Sequence, residues 1–139
     1  MSKILFDANV LLDFFLERNL QPETIEKIFM LIDNKKVEGY VTVTILQICA
    51  YYLTKAKGVA VAKEILEMVI LKFQLLDGNK KNVLNALKSE QQDIEDAIHY
   101  FIALENEVNA IVTLDQGFIK LSSPYLPIYS PADLLNNIG

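Results

Sequence analysis

The sequence is 139 residues long, 52% apolar, and carries a formal net charge of −5 at pH 7. This length fits one domain spanning residues 1–139, and the negative charge argues against broad electrostatic binding of nucleic acid, because affinity for phosphates comes mostly from Lys and Arg. No apolar run reaches the roughly 18 residues of a membrane span, no targeting segment is visible, and the single cysteine, Cys49, excludes an internal disulfide. We therefore expect a cytoplasmic protein that does not cross a membrane.

Short strands alternate with longer helices along the chain. In chain order, the apolar periodicity predicts a strand at 3–6, helices at 10–17 and 22–34, a strand at 39–43, helices at 44–57 and 59–71, a strand at 73–76, helices at 81–87 and 93–105, strands at 110–113 and 127–129, and a terminal helix from Pro131. Right-handed crossovers between such strands build a parallel sheet covered on both faces. The pattern predicts an α/β fold, and the high apolar share favours a homo-oligomer.

The first predicted strand ends in an acid, within the motif Phe6-Asp7-Ala8-Asn9. The amide of Asn9, two residues after Asp7, can hold the carboxylate or a metal-bound water. Asp7 or Asn9 can equally cap the helix that follows, since both residue types are favoured at that position. Taken alone, this motif leaves a metal site and a helix cap equally open.

A second pair of acids, Asp93 and Asp96, lies at the start of a predicted helix. Their i, i+3 spacing puts both on neighbouring turns of one helical face, so that they can share one site. Acids in the first turn of a helix also complement its dipole without any metal. By itself, this pair is more often structural than catalytic.

A third acid, Asp115, follows an apolar strand, with Thr113 as a nearby supporting hydroxyl. Asp115 can cap the short helix after it, but the carboxyl ends of parallel strands share one edge of an α/β sheet. We therefore expect Asp7, Asp96 and Asp115 to converge in one crevice, with Asp93 at its border. Carboxylates gathered in this way repel one another unless a divalent cation neutralises them. The sequence thus predicts a Mg²⁺ or Mn²⁺ site.

The order of these motifs resembles the PIN domain (PilT N-terminal) family, which includes the toxin ribonucleases of bacterial and archaeal toxin–antitoxin pairs. The resemblance spans essentially the whole chain, and its most specific part is the helix opening with Asp96-Ala97-Ile98 and leading into Ile111-Val112-Thr113. It implies that Asp7, Asp96 and Asp115 are the catalytic, metal-binding acids. It also implies that Asp93 is the additional metal-binding acid seen in one branch of the family.

The same resemblance implies a three-layer α/β/α sandwich with a central, mainly parallel sheet, and a homodimer. The implied activity is Mg²⁺-dependent hydrolysis of RNA phosphodiester bonds by an endoribonuclease. If the protein is the toxin of a toxin–antitoxin pair, a cognate antitoxin protein is a second expected partner besides the RNA substrate.

The chain departs from this family near the start of the helix after the second strand, where the family usually has Glu and this sequence has Gln47. The carboxamide oxygen of Gln47 can still coordinate Mg²⁺ or hold a bound water, but it adds no negative charge. We expect the amide of Asn9 and the hydroxyl of Thr113 to support the site as well. If Gln47 faces the acids, Gln47→Glu should raise metal affinity by about tenfold. The departure favours an alternative function, a weakened or inactive PIN-fold binding module.

Two other classes of protein find less support. A receiver-type phosphoacceptor domain also gathers acids at strand ends, but no Lys ends a late strand here and Asp7 follows the wrong strand for the acceptor. A P-loop or dinucleotide-binding protein is excluded, since no glycine-rich phosphate loop occurs among five glycines.

Overall fold

A computed structural model describes residues 1–18 and 22–138. Its centre is a sheet of five strands in the order β3-β2-β1-β4-β5. The strands are β1 (Ser2–Phe6), β2 (Val37–Thr42), β3 (Gln74–Leu76), β4 (Ala110–Val112) and β5 (Ile128–Tyr129). All four neighbouring pairs are parallel, which confirms the parallel sheet that the alternation of strands and helices predicted.

Helices connect these strands and complete an α/β sandwich. They are α1 (Ala8–Phe15), α2 (Pro22–Asp33), α3 (Val43–Lys57), α4 (Val59–Lys72), α5 (Lys80–Lys88), α6 (Ile94–Glu105), α7 (Gln116–Ile119) and α8 (Pro131–Ile138). Element ends differ from the predicted ones by about two residues at most, which is the usual uncertainty of helix and strand boundaries. α1 begins before its predicted start because Asp7 caps it. No helix in the described part of the chain is long and apolar enough to cross a membrane.

The strand order creates a topological switch point between β1 and β4. The chain builds β1, β2 and β3 towards one edge and then returns to add β4 and β5 on the other side of β1. At such a point the flanking connections diverge and leave a crevice outside the carboxyl ends of the two strands. β1 ends at Phe6, which pairs with Val112 of β4, so the residues that follow these two strands open onto the same crevice.

The core holds these strand ends in place. Phe6, Ile111 and Val112 are fully buried, as expected for central strands covered by helices on both faces. The ring of Phe6 packs edge-on against Phe73 and stacks with Phe29. The polar side chains at the ends of β1 and β4 therefore project from a closely packed base.

Candidate metal centre

A crevice of about 370 Å³ lies at the switch point and contains all four acids that the sequence predicted for the site. Its acidic lining residues are Asp7, Asp93, Glu95, Asp96 and Asp115. They come from three segments: the end of β1, the start of α6, and the loop between β4 and α7. A larger depression of about 630 Å³, between α2 and α4, lies away from these strand ends. The chemistry-bearing groups therefore single out the smaller crevice.

Asp7 is both the cap of α1 and a wall of the crevice. One carboxylate oxygen accepts a hydrogen bond from the Ala8 N–H at 2.8 Å, and the other accepts from the Thr113 hydroxyl at 2.8 Å and the Asn9 amide at 3.3 Å. Burial raises the pKa of the Asp7 carboxyl above its usual value, while the Thr113 and Ala8 hydrogen bonds act in the opposite direction. The capping role that the sequence left open is real, and the same side chain still lines the crevice.

Asn9 and Thr113 join the start of α1 to the end of β4. The side-chain amide of Asn9 donates to the Thr113 hydroxyl oxygen at 3.2 Å, and the Leu114 N–H donates to Oδ1 of the Asn9 side chain at 3.1 Å. The Asp115 N–H donates to the Thr113 hydroxyl oxygen at 3.1 Å. These bonds hold Asp7 and Asp115 at fixed positions. They also place the side chains of Asn9 and Thr113 beside these two acids.

Asp93, Asp96 and Asp115 form the closest group of acids. Each offers one carboxylate oxygen, and these three oxygens lie within 4.8 Å of one another. Asp96 is buried, whereas Asp93 and Asp115 are exposed. Asp93 also caps α6 through the Asp96 N–H at 3.0 Å, and Asp115 caps α7 through the Gly117 N–H at 2.8 Å. Helix capping therefore fixes the direction of two of the three carboxylates.

The electrostatics of this group favour a cation. Burial raises the pKa of Asp96 to about 7, with further contributions from the negative charges of Asp93, Asp7 and Asp115. A carboxylate that resists ionisation because of burial and neighbouring negative charge becomes ionised when a cation enters. Three carboxylate oxygens converging in this way match the oxygen ligands that Mg²⁺ prefers. The donor set therefore fits a hard divalent cation, and Asp93 belongs to the closest group of acids together with Asp96 and Asp115.

Gln47 is not part of this site, and the prediction that it supports the acids is wrong. Its exposed side chain lines a different depression together with Val43, Leu46 and Ala50 on the face of α3 that meets α4. Ile48, the next residue along α3, lines the crevice instead. One residue turns a helix by about 100°, so neighbouring positions point in different directions.

Several residues of the crevice were not predicted from the sequence. Ile48, Tyr52 and Arg18 line it, but no sequence motif marked them. The spacing of Ile48 and Tyr52, four residues apart on α3, was the available signal, since such residues share one helix face.

The burial of His99 was also not predicted from the sequence. It is 3% exposed, its Nε2 lies 3.0 Å from the Thr42 hydroxyl oxygen, and burial lowers its pKa. The imidazole is therefore neutral at pH 7 and joins α6 to the start of α3.

The match to a known family accounts for this combination of fold and acids. The PIN domain family matches residues 3–117, and the chain belongs to this family.

Solved structures share the fold over nearly the whole chain. The DNA-bound VapBC2 structure from Rickettsia felis is 12% identical with a TM-score of 0.69, covering 93% of this chain and 98% of that one. The DNA-bound VapBC structure from Salmonella typhimurium is 17% identical with a TM-score of 0.69, and the match covers 94% of this chain and 99% of that one. Mycobacterium tuberculosis VapC20, a sarcin–ricin loop cleaving toxin, is 11% identical with a TM-score of 0.64, and the match covers 83% of this chain and 92% of that one. At these identities the similarity establishes the fold. No curated protein matched the sequence.

Proposed function

We propose that this PIN domain protein is a metal-dependent endoribonuclease that hydrolyses RNA phosphodiester bonds. The observation that carries the proposal is the group of three carboxylate oxygens within 4.8 Å of one another at the sheet's switch point. Similarity to VapC20, a sarcin–ricin loop cleaving toxin, supports RNA as the substrate. Mg²⁺ or Mn²⁺ is the proposed cofactor, since the ligands are all carboxylates.

Each residue has a distinct role in this proposal. Asp93, Asp96 and Asp115 would hold the cation, which when bound would lower the pKa of a water molecule and stabilise negative charge on the leaving oxygen. Asp7, the other metal-binding acid that the sequence predicted, lines the same crevice and would add its carboxylate to this ligand set from a fixed direction. Asn9 and Thr113 fix that direction through their hydrogen bonds to Asp7.

The proposed biological setting is a toxin–antitoxin pair. The structures from Rickettsia felis and Salmonella typhimurium are VapBC assemblies, and by analogy we propose a cognate antitoxin for this chain. A homodimer remains a prediction, supported by exposed apolar side chains on α4 such as Val59, Met68 and Leu71. The cytoplasmic location also remains a prediction.

A cleavage assay on purified protein tests the proposed activity. We expect Mn²⁺ to support cleavage of an RNA substrate and a chelator to stop it. Asp115→Asn should reduce the rate by about 100-fold or more, because a lost ligand costs at least as much as a lost supporting group. Asn retains an oxygen that can cap α7, so folding should be preserved.

Asp133→Asn is the matched control, since Asp133 is an exposed acid on α8 outside the crevice. Equal rates for the Asp115 and Asp133 variants, or cleavage that survives the chelator, would contradict the proposal.

The alternative is a PIN-fold module that binds without hydrolysis. The observation that favours it is Ile48, since α3 contributes an apolar side chain where a further carboxylate would strengthen metal binding. Binding of RNA or protein that needs no divalent metal, together with no cleavage at any Mn²⁺ concentration, would establish this alternative.

A further inference from the structure

One wall of the crevice is formed by α3 and is not acidic. Ile48 and Tyr52 lie on the same face of this helix and both line the crevice. Ile48 is half-buried, whereas Tyr52 is 46% exposed, so the tyrosine extends farther towards solvent. Metal binding by carboxylates does not require an exposed aromatic ring beside them. Tyr52 therefore offers a contact that the proposed hydrolysis leaves unused.

The ring of Tyr52 is held by its neighbour. Tyr51 and Tyr52 pack edge to face, with ring centroids 5.1 Å apart and an interplanar angle of 89°. The Lys55 ammonium lies 5.8 Å from the centroid of the Tyr51 ring. The contact with Tyr51 restricts the Tyr52 side chain before any ligand arrives, and a group ordered in advance loses less freedom on binding.

A positive side chain completes the non-acidic part of the crevice. Arg18 lines it together with Tyr52. In a protein of net charge −5, a guanidinium among acids is a local point of attraction for a phosphate, which it can bind with two hydrogen bonds. An aromatic ring and an arginine are the groups that proteins use to hold the base and the phosphate of an unpaired nucleotide.

We propose that Tyr52 is a specificity-determining residue that stacks on an unpaired base next to the bond to be cut, while Arg18 binds an adjoining phosphate. This inference rests on the proposed ribonuclease function and names the substrate segment as single-stranded RNA. A base inside a duplex is covered on both faces by its neighbours, so only an unstacked base can lie against the ring.

Binding measured without cleavage tests the contact directly. Tyr52→Ala is placed in the Asp115→Asn protein, and its affinity for a fluorescently labelled, unstructured RNA oligonucleotide is measured by anisotropy. We expect the Kd to rise by about tenfold, within the range measured for loss of one base–aromatic stack. Tyr52→Phe keeps the ring and should bind like its parent. In the cleaving protein, Tyr52→Ala should raise KM with a smaller change in kcat.

Tyr125→Ala is the control, because Tyr125 is 85% exposed and lies outside the crevice. An oligonucleotide with an abasic nucleotide at the stacked position should bind the Tyr52→Ala protein and its parent equally, since the ring then has no base to contact. Equal effects of Tyr52→Ala and Tyr125→Ala would overturn the stacking contact even in a protein that cleaves RNA. An unsubstituted protein that binds RNA but does not cleave it with Mn²⁺ present would overturn the proposed function alone. Absence of RNA binding would overturn both.

Discussion

Asp96→Asn is expected to abolish Mn²⁺ binding and to make the metal-free protein more stable at pH 8. Burial and the neighbouring acids raise the pKa of Asp96 from 3.8 to about 7, so the folded protein holds this proton more tightly than the unfolded chain does. Below about pH 4 the group is protonated in both states and costs nothing. The cost develops as pH rises towards 7 and is fully present above it. Asn carries no charge and avoids this cost.

Ionising Asp96 in the folded protein costs at most about 4 kcal/mol of folding stability, given the rise in its pKa. We therefore expect Asp96→Asn to stabilise the metal-free protein at pH 8 by roughly 1–2 kcal/mol. Thermal melts at pH 4 and pH 8, each with and without Mn²⁺, measure it. At pH 8 the metal-free Asp96→Asn midpoint should exceed that of the parent by about 3–6 °C, and at pH 4 the difference should shrink. Mn²⁺ should raise the midpoint of the parent only, because a ligand stabilises the state that binds it.

Asp133→Asn serves as the control for these melts, since its carboxylate is exposed and lies outside the crevice. It should leave the midpoint nearly unchanged at both pH values. An Asp96→Asn protein that melts lower than its parent at pH 8, or that still gains stability from Mn²⁺, would show that Asp96 is a structural residue rather than a ligand.

Ile48→Glu is expected to raise Mn²⁺ affinity by about tenfold or more, which is roughly 1.4 kcal/mol, because it adds a carboxylate to the wall of α3 that faces the acids. The same change should lower the stability of the metal-free protein at pH 8, since it adds negative charge to a group that already repels itself. Calorimetric titration with Mn²⁺ and melts of the metal-free protein measure both effects.

Gln47→Glu is the matched control on the adjacent position of α3. The side chain of Gln47 faces the α4 side, so the added charge should leave Mn²⁺ affinity unchanged. If Gln47→Glu tightened Mn²⁺ binding and Ile48→Glu did not, the orientation of α3 described above would be wrong. Unchanged affinity in both variants would mean that the cation lies too far from α3 to gain a ligand there.

The sequence was sufficient for the class of fold and for most of the candidate site. β1 ends in the apolar run Ile4-Leu5-Phe6 and β4 is apolar throughout, and each strand is followed by an acid within three residues, at Asp7 and Asp115. The i, i+3 spacing of Asp93 and Asp96 predicted that both acids lie on one face of the helix. These inferences depend on local periodicity and on the rule that parallel strands end at one edge, both of which can be read without coordinates.

Tertiary structure decided what depends on the rotation and packing of whole elements. Sequence similarity pointed to Gln47, but the angle at which α3 packs on the sheet turns Ile48 and Tyr52 towards the crevice instead. The tertiary structure also placed Asp93 in the closest group of acids, together with Asp96 and Asp115. A shift of one residue changes the face of a helix by about 100°, and the contacts that fix this rotation come from residues distant in the sequence. The order of the motifs and the placement of acids at strand ends therefore predicted the acids that line the crevice, whereas the apolar residues of α3 that line it required the packed fold.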